Sequence, residues 1–167
     1  DTCLVPCDND PHADDVAFIG SVKGSHGRNV SELETAEGQY QVLFENNGIS
    51  MMYIGEDTTI ALINKEFENL TGYSKQLVEG KMSWMELIAD KDALDQMKVC
   101  HRLRRIDPAL APDTYDTTIK TKHGDMRNIM LRVSMIPGTD FSLASMLDVT
   151  EIRLAENALR ESEEKYR

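Results

Sequence analysis

NKEFENLTGYSKQLVEG, Asn64 to Gly80, is the stretch on which the fold turns, because two glycines chop a helical pattern into pieces. Phe67 and Leu70 stand at i, i+3 and mark one apolar helical face. Gly72 falls where a left-handed C-cap ends that face, and KQLVEG supplies one more turn closed by Gly80. Two short helices in quick succession cannot bury much surface alone, so they must pack against a sheet.

That sheet is legible on both sides. Upstream, GISMMYIGED (48–57) reads as a strand closed by the Gly55-Glu56-Asp57 turn, and TTIALIN (58–64) as its hairpin partner. Downstream, SWMELI (83–88) is a short apolar turn carrying the lone tryptophan, Trp84. A longer helix starts near Asp90, with Leu94, Met97, Val99, Cys100, Leu103 and Ile106 at helical spacing. RLRR (102–105) suits the negative end of its dipole, and Pro108 and Pro112 stop it.

The remaining pattern alternates. Tyr115, Thr117, Ile119 and Thr121 share one face of a strand, and Lys122–Asp125 form a tight turn. Ile129, Leu131, Val133 and Met135 share a face of the next strand, before Pro137-Gly138 turns the chain again. The last strand places Phe141, Leu143, Ser145, Leu147 and Val149 on one face, expected to point inward. A final helix begins at Thr150. Two strands before the helices and three after them give an α+β domain. Its five-stranded antiparallel sheet carries the short helices and the longer helix on one face, with linker helices at both ends.

Composition narrows the function. The chain has 167 residues, 41% hydrophobic and 28% charged, with a net charge of −11. Such an acidic surface repels phosphate backbones and anionic headgroups, so neither a nucleic-acid partner nor membrane contact by this segment is expected. No run approaches the roughly 18 apolar residues of a membrane-spanning helix, and DTCLVPCDND has no signal-peptide character. Three cysteines make no disulfide framework, which fits a cytoplasmic setting; Cys3, Cys7 and His12 make a poor metal set, and no metal site is expected. No phosphate loop, HExxH, GxSxG or kinase signature occurs, so this chain is not expected to be an enzyme.

The motifs together carry a resemblance. The entry helix YQVLFEN (40–46), the strand pair, and Asn64, Phe67, Leu70, Thr71, Gly72, Tyr73, Ser74, Leu77 and Gly80 resemble the start of a PAS domain. The strands from Asp116 to Ile136 and the Asp148-Val149-Thr150-Glu151 sequence resemble its C-terminal half and linker. The likeness spans about Gln39 to Arg167. One departure is ADKDAL (89–94), where the family often has HP-x-D. The resemblance implies a PAS fold and the setting of a multi-domain sensor, a histidine kinase of a two-component system.

It also organises the ends. SEEKYR (162–167) resembles the lead-in to a further PAS domain, so the last helix is expected to continue towards an adjacent PAS or kinase domain. NVSELETAE (29–37) aligns without gaps to DVTEIRLAE (148–156), as in a tandem array. Residues 1–28 are then read as a remnant of an upstream segment, with VAFIGSV (16–22) as the last strand of a preceding PAS-like domain. Residues 29–44 are the entry helix, 45–149 the core and 150–167 the signalling linker. A chance similarity between two linker helices is the alternative.

The resemblance implies a ligand cavity between sheet and long helix. The flavin-cysteinyl chemistry of light-oxygen-voltage domains is disfavoured, because Ser83 stands where their NCRFLQ motif has its cysteine. Haem is disfavoured, because Gln96 occupies the usual ligand position and His101 lies more than a turn away. The cofactor stays unknown. Candidate cavity residues are Met97, Cys100, His101, Tyr115, Thr117, Leu131, Val133, Phe141 and Ser145; the same side chains could simply fill a core. Of the nine methionines, Met51, Met85, Met97 and Met135 are expected in the core, and Met52, Met130 and Met146 on the outer face. Ile152, Ala155, Leu159, Ser162 and Tyr166 recur at 3, 4 spacing, a seam suited to a homodimer through the linker helices. Thr150 is expected to cap that helix and Asp148 to anchor it, so both join Ile152, Ala155 and Leu159 as relay residues. Two functions stay open: a ligand-binding sensor module, or a ligand-free module that dimerises and spaces its neighbours.

Overall fold

The computed structural model describes residues 34–167, so the upstream remnant, Cys3, Cys7, His12 and residues 29–33 of the first repeat copy lie outside the described residues. The chain divides between Leu43 and Phe44. The described part of the first unit, residues 34–43, is helical, and this helix, α1, continues to residue 46 in the second unit.

The second unit follows the order the alternating patterns predict. It comprises β1 (Ser50–Ile54), β2 (Ile60–Ile63), α2 (Lys65–Thr71), α3 (Lys75–Val78), α4 (Lys91–Ile106), β3 (Thr114–Lys120), β4 (Met126–Met135), β5 (Ser142–Asp148) and α5 (Thr150–Lys165). A 3₁₀ turn at Trp84–Glu86 precedes α4, and another at Pro108–Leu110 follows it. The sheet is antiparallel throughout, with order β2-β1-β5-β4-β3. The last strand in sequence is thus the central one. The crossover from β2 to β3 carries α2, α3 and α4, and their apolar sides meet one face of the sheet. Phe67, Ile60, Ile63, Leu87, Ile119 and Ile129 are fully buried there. Each such side chain contributes about 1.5–3 kcal/mol of burial.

Asn64 explains why the stretch quoted first governs the fold. Its side-chain carbonyl accepts from the Phe67 amide (3.0 Å), capping α2, and from the Met51 amide (2.9 Å) on β1. Its side-chain amide donates to the carbonyls of Phe44 (2.8 Å) and Ile49 (2.7 Å). All four bonds are made by a side chain with no exposed surface. At the other end of α2, Gly72 takes φ 77°, and a Cβ there would approach the His123 ring to 3.3 Å. Both signature residues therefore tie α2 to remote chain.

Three expectations are corrected. The inward face of β5 is Ser142, Ala144 and Met146, whereas Phe141 and Leu147 are exposed and Leu143 and Ser145 half-buried. Register decides this. Ala144 pairs with Met52 and Val133, and Met146 with Leu131, so these side chains share the core face of their neighbours. For the same reason Met52 and Met146 are core residues and Met51 and Met135 are half-buried, while Met97 is in the core and Met130 outside it as expected. On α4, Val99 and Ile106 face outward, and the buried stripe is Met97, His101 and Arg104.

Replacing Asn64 with Ala leaves two carbonyls and two amides without partners, two of them at the strand entry. Urea unfolding of Asn64→Ala is expected to show a loss of about 3 kcal/mol or more. Asn64→Asp is expected to lose at least as much, because a carboxylate oxygen then faces the Phe44 and Ile49 carbonyls.

Candidate functional site

The alternation of β3, β4 and β5 and the stripe of α4 converge on one interior cavity of about 30 Å³. Of the nine residues named from sequence, Met97, His101, Tyr115, Thr117, Leu131 and Val133 line it together. Cys100, Phe141 and Ser145 do not. Phe141 lines a surface cleft beside Gly55 and Asp140, and Ser145 lies on the opposite side of β5, the consequence of its register. Cys100 stands one position off the α4 stripe, where its thiol meets the Tyr115 hydroxyl. Burial first, and that thiol second, push the Tyr115 hydroxyl above its ordinary value.

Sequence reasoning missed Trp84, Arg104, Ser142, Met52 and Met146, which also line the cavity. Arg104 had a signal. Met97, His101 and Arg104 are spaced 4 and 3, the period of a buried helical face, yet charge marks arginine as exposed. Its guanidinium donates to the Pro112 carbonyl and to the Tyr115 hydroxyl (2.6 Å), and lies 5.7 Å from the Tyr115 ring centre.

His101 closes the end of the cavity nearest the β1–β2 turn. Arg105 donates to its Nδ1 (3.1 Å), so the ring proton sits on Nε2, which reaches the Glu56 carbonyl at 3.0 Å. Arg105 also donates to the carbonyls of His101 (2.9 Å) and Ile54 (3.3 Å), fastening α4 to β1. Both imidazole nitrogens are thus engaged. The ring lies 5.7 Å from that of Trp84, and this pair lines both the cavity and an outer groove beside Thr58, Lys98 and Arg102. Burial lowers the His101 pKa, against the Glu56 carbonyl, which raises it, and the two neighbouring arginines lower it further.

The exit from the sheet is equally specific. Val149 precedes α5 and makes no side-chain cap; Thr150 is the first helical residue, which corrects its expected capping role. The Asp148 carboxylate takes that place. Its Oδ1 accepts from the Thr150 amide (2.9 Å) and hydroxyl (2.5 Å), and Arg127 lies 3.6 Å from Oδ2. The Thr150 hydroxyl oxygen in turn accepts from the Asn128 amide (2.8 Å), and the Val149 amide donates to the Asn128 carbonyl (2.8 Å). One turn on, Arg153 pairs with Asp116 of β3 at 2.7 Å. Ile152, Ala155 and Leu159 are exposed.

Comparison with known proteins agrees with this architecture. The model described as PAS fold matches residues 38–141. The chain belongs to the PAS family. Among solved PAS structures, one from an HTR-like protein of Haloarcula marismortui is 20% identical, with TM-score 0.57, covering 73% of this chain and 98% of that one. A domain of a sensory box sensor histidine kinase/response regulator from Geobacter sulfurreducens is 20% identical, with TM-score 0.56 and coverages of 70% and 96%. A PAS domain from Colwellia psychrerythraea is 19% identical, with TM-score 0.60 and coverages of 70% and 98%. At these identities the likeness is one of fold. No curated protein sequence matches the chain. As a PAS domain the chain is a sensory module, and no described helix is long and apolar enough to cross a membrane.

The lowered His101 pKa has a definite sign. Above the ordinary value of 6.5 the ring is neutral in folded and unfolded chains alike. Below it the unfolded chain takes up a proton that the folded one resists, so stability falls as pH drops from 6.5 through the folded-state pKa. His101→Gln keeps a donor for Glu56 without titrating. Urea midpoints measured across this window are expected to fall less steeply for the variant than for the parent.

Proposed function

We propose that this PAS module senses a small molecule in the cavity under α4 and relays its state through the Asp148–Thr150 junction into α5. One observation carries the reading: the strands that line the cavity are the strands that hold the helix. Thr117 lines the cavity and its neighbour Asp116 pairs with Arg153. Ile129 lines it, and its neighbour Asn128 hydrogen-bonds Thr150. Met146 lines it, two residues before Asp148. A small shift of β3 or β4 caused by an occupant therefore alters the base of α5 directly.

In this proposal the chain is a cytoplasmic, non-catalytic module of a histidine kinase, and α5 pairs with its twin along Ile152, Ala155 and Leu159. Haem is not the occupant, because His101 would have to release Glu56 or Arg105 to reach iron. A flavin adduct is not the chemistry, because Ser83 hydrogen-bonds Thr58 (2.9 Å) where a reactive thiol is needed. The size of the cavity favours a second reading, the ligand-free spacer.

Native mass spectrometry of the purified chain separates the two. A retained or titratable small molecule supports sensing; an empty protein that responds to no compound in a metabolite library supports the spacer. The relay has its own test. In Asp148→Ala the amides of Thr150 to Leu154 are expected to exchange with deuterium about tenfold faster, with core strands unchanged. Leu159→Lys is expected to convert a sedimenting dimer to monomer without altering core stability.

A further inference from the structure

We propose that the cavity takes an organic monocarboxylate, its carboxylate met by Arg104 and its compact apolar body lodged among the methionines. This rests on the sensory reading above and names the ligand class of that site.

The charge balance of the wall is the first argument. Arg104 is only 4% exposed and lines the cavity, yet no Asp or Glu does. Its protein partners are a carbonyl and a phenol, both neutral, and no carboxylate lies within ion-pair distance of it among the described residues. A guanidinium withdrawn from water without a counter-charge is costly, and a bound anion removes that cost. In a chain of net charge −11, leaving this one cation inside without an acid is not forced by composition.

Unpaired donors are the second. The Trp84 Nε1, the Thr117 hydroxyl and the Ser142 hydroxyl are buried, lack any hydrogen-bond partner, and line the same cavity. An indole N–H can only donate, and both hydroxyls can. A wall with a donor-only indole, two hydroxyls free to turn their protons inward and no carboxylate accommodates an anion or a carbonyl-bearing group, and the adjacent guanidinium selects the anion.

Shape and count finish the argument. His101 is neutral and its Nε2 proton points away to Glu56, so the wall offers one positive charge, which matches one carboxylate better than two. Met52, Met97 and Met146 supply an apolar and conformationally adaptable lining. At about 30 Å³ the cavity holds a water or two as it stands, so an occupant enters by rearranging these thioethers, and a compact one rearranges them least.

The test uses the whole chain with ¹³C-methyl methionine. It is titrated with sodium benzoate and sodium butyrate, and in parallel with benzamide and butyramide as neutral isosteres, succinate, and sodium chloride. The Met52, Met97 and Met146 methyl signals are expected to shift saturably with the monocarboxylates, and Met130, on the opposite face, to stay in place. The amides and succinate are expected to bind at least about tenfold more weakly, and Arg104→Met to weaken benzoate about tenfold while leaving benzamide unchanged. Thr117→Val keeps the side-chain shape and is expected to cost about threefold, so it carries the test if Arg104→Met fails to fold. Amides binding as tightly as the acids would overturn the carboxylate proposal and leave the sensory cavity standing. Chloride alone reproducing the shifts, or succinate binding tightest, would overturn it too. Core methionines unmoved by acids and amides alike would overturn this proposal, and an empty native mass spectrum alongside would remove the sensory reading with it.

Discussion

The Asn64 side-chain amide is the constraint on which the rest of the domain depends. An amide has two donors and two acceptor lone pairs, and here each is used by a backbone group from a different part of the chain. The two carbonyls it binds precede β1, one of the two amides begins α2, and the other belongs to β1 itself. No aspartate, serine or threonine can satisfy that set, because an ionised carboxylate has no donor and a hydroxyl has one proton for the two carbonyls. Glu45 adds to the same corner, accepting from the Lys65 amide (2.9 Å) and pairing with Lys75. The entry to the sheet, the first helix of the crossover and the second are thereby fixed at a single point.

With that corner fixed, the antiparallel registers determine which side chains can reach the interior. β5 runs between β1 and β4, so its inward residues have to fit beneath two strands rather than one. Ser142 and Ala144 are small, and Ser142 borders the cavity. Met146 is the one large inward residue of β5, and Leu143 and Leu147 go to the other face. The interior is therefore opened by the small side chains at the start of the central strand, and its polar groups come from α4, the Trp84 turn, β3 and Ser142.

The element order, the strand alternation of β3 and β4, and the turn glycines were all legible in the sequence, because each rests on local periodicity or on a backbone conformation few residues accept. The face of β5 was not. Phe141, Leu143, Leu147 and Val149 are bulkier and more apolar than Ser142 and Ala144, so hydropathy alone turns the strand over. Only pairing with Met52 and Val133 sets it right, and pairing is a long-range property. Arg104 was hidden for a similar reason. Its spacing from Met97 and His101 placed it on the buried stripe, but its charge argued the other way, and burial was decided by the Pro112 carbonyl and Tyr115 that close over it. Six of nine candidate cavity residues gathered in one place because they lay on β3, β4 and the α4 stripe, where local pattern and tertiary register agree.

The cavity and the outgoing helix are close neighbours across the sheet. In a strand, successive side chains point to opposite faces, so Asp116 and Thr117 are one backbone step apart while one grips Arg153 and the other faces the cavity. Asn128 and Ile129 repeat the arrangement on the next strand. The sheet is not a wire between sites but a shared wall with a different function on each side. Under the proposed relay, displacing that wall from within displaces the helix base unless the Asp148 carboxylate yields first. That carboxylate holds both the amide and the hydroxyl of Thr150, while Arg127 stands at its other oxygen. The junction is accordingly stiff where the strand becomes helix, and α5 beyond it is exposed along its length. A firmly held base under a helix with no buried residue is what the proposed relay requires: the junction has to move as a unit with the strands that hold it.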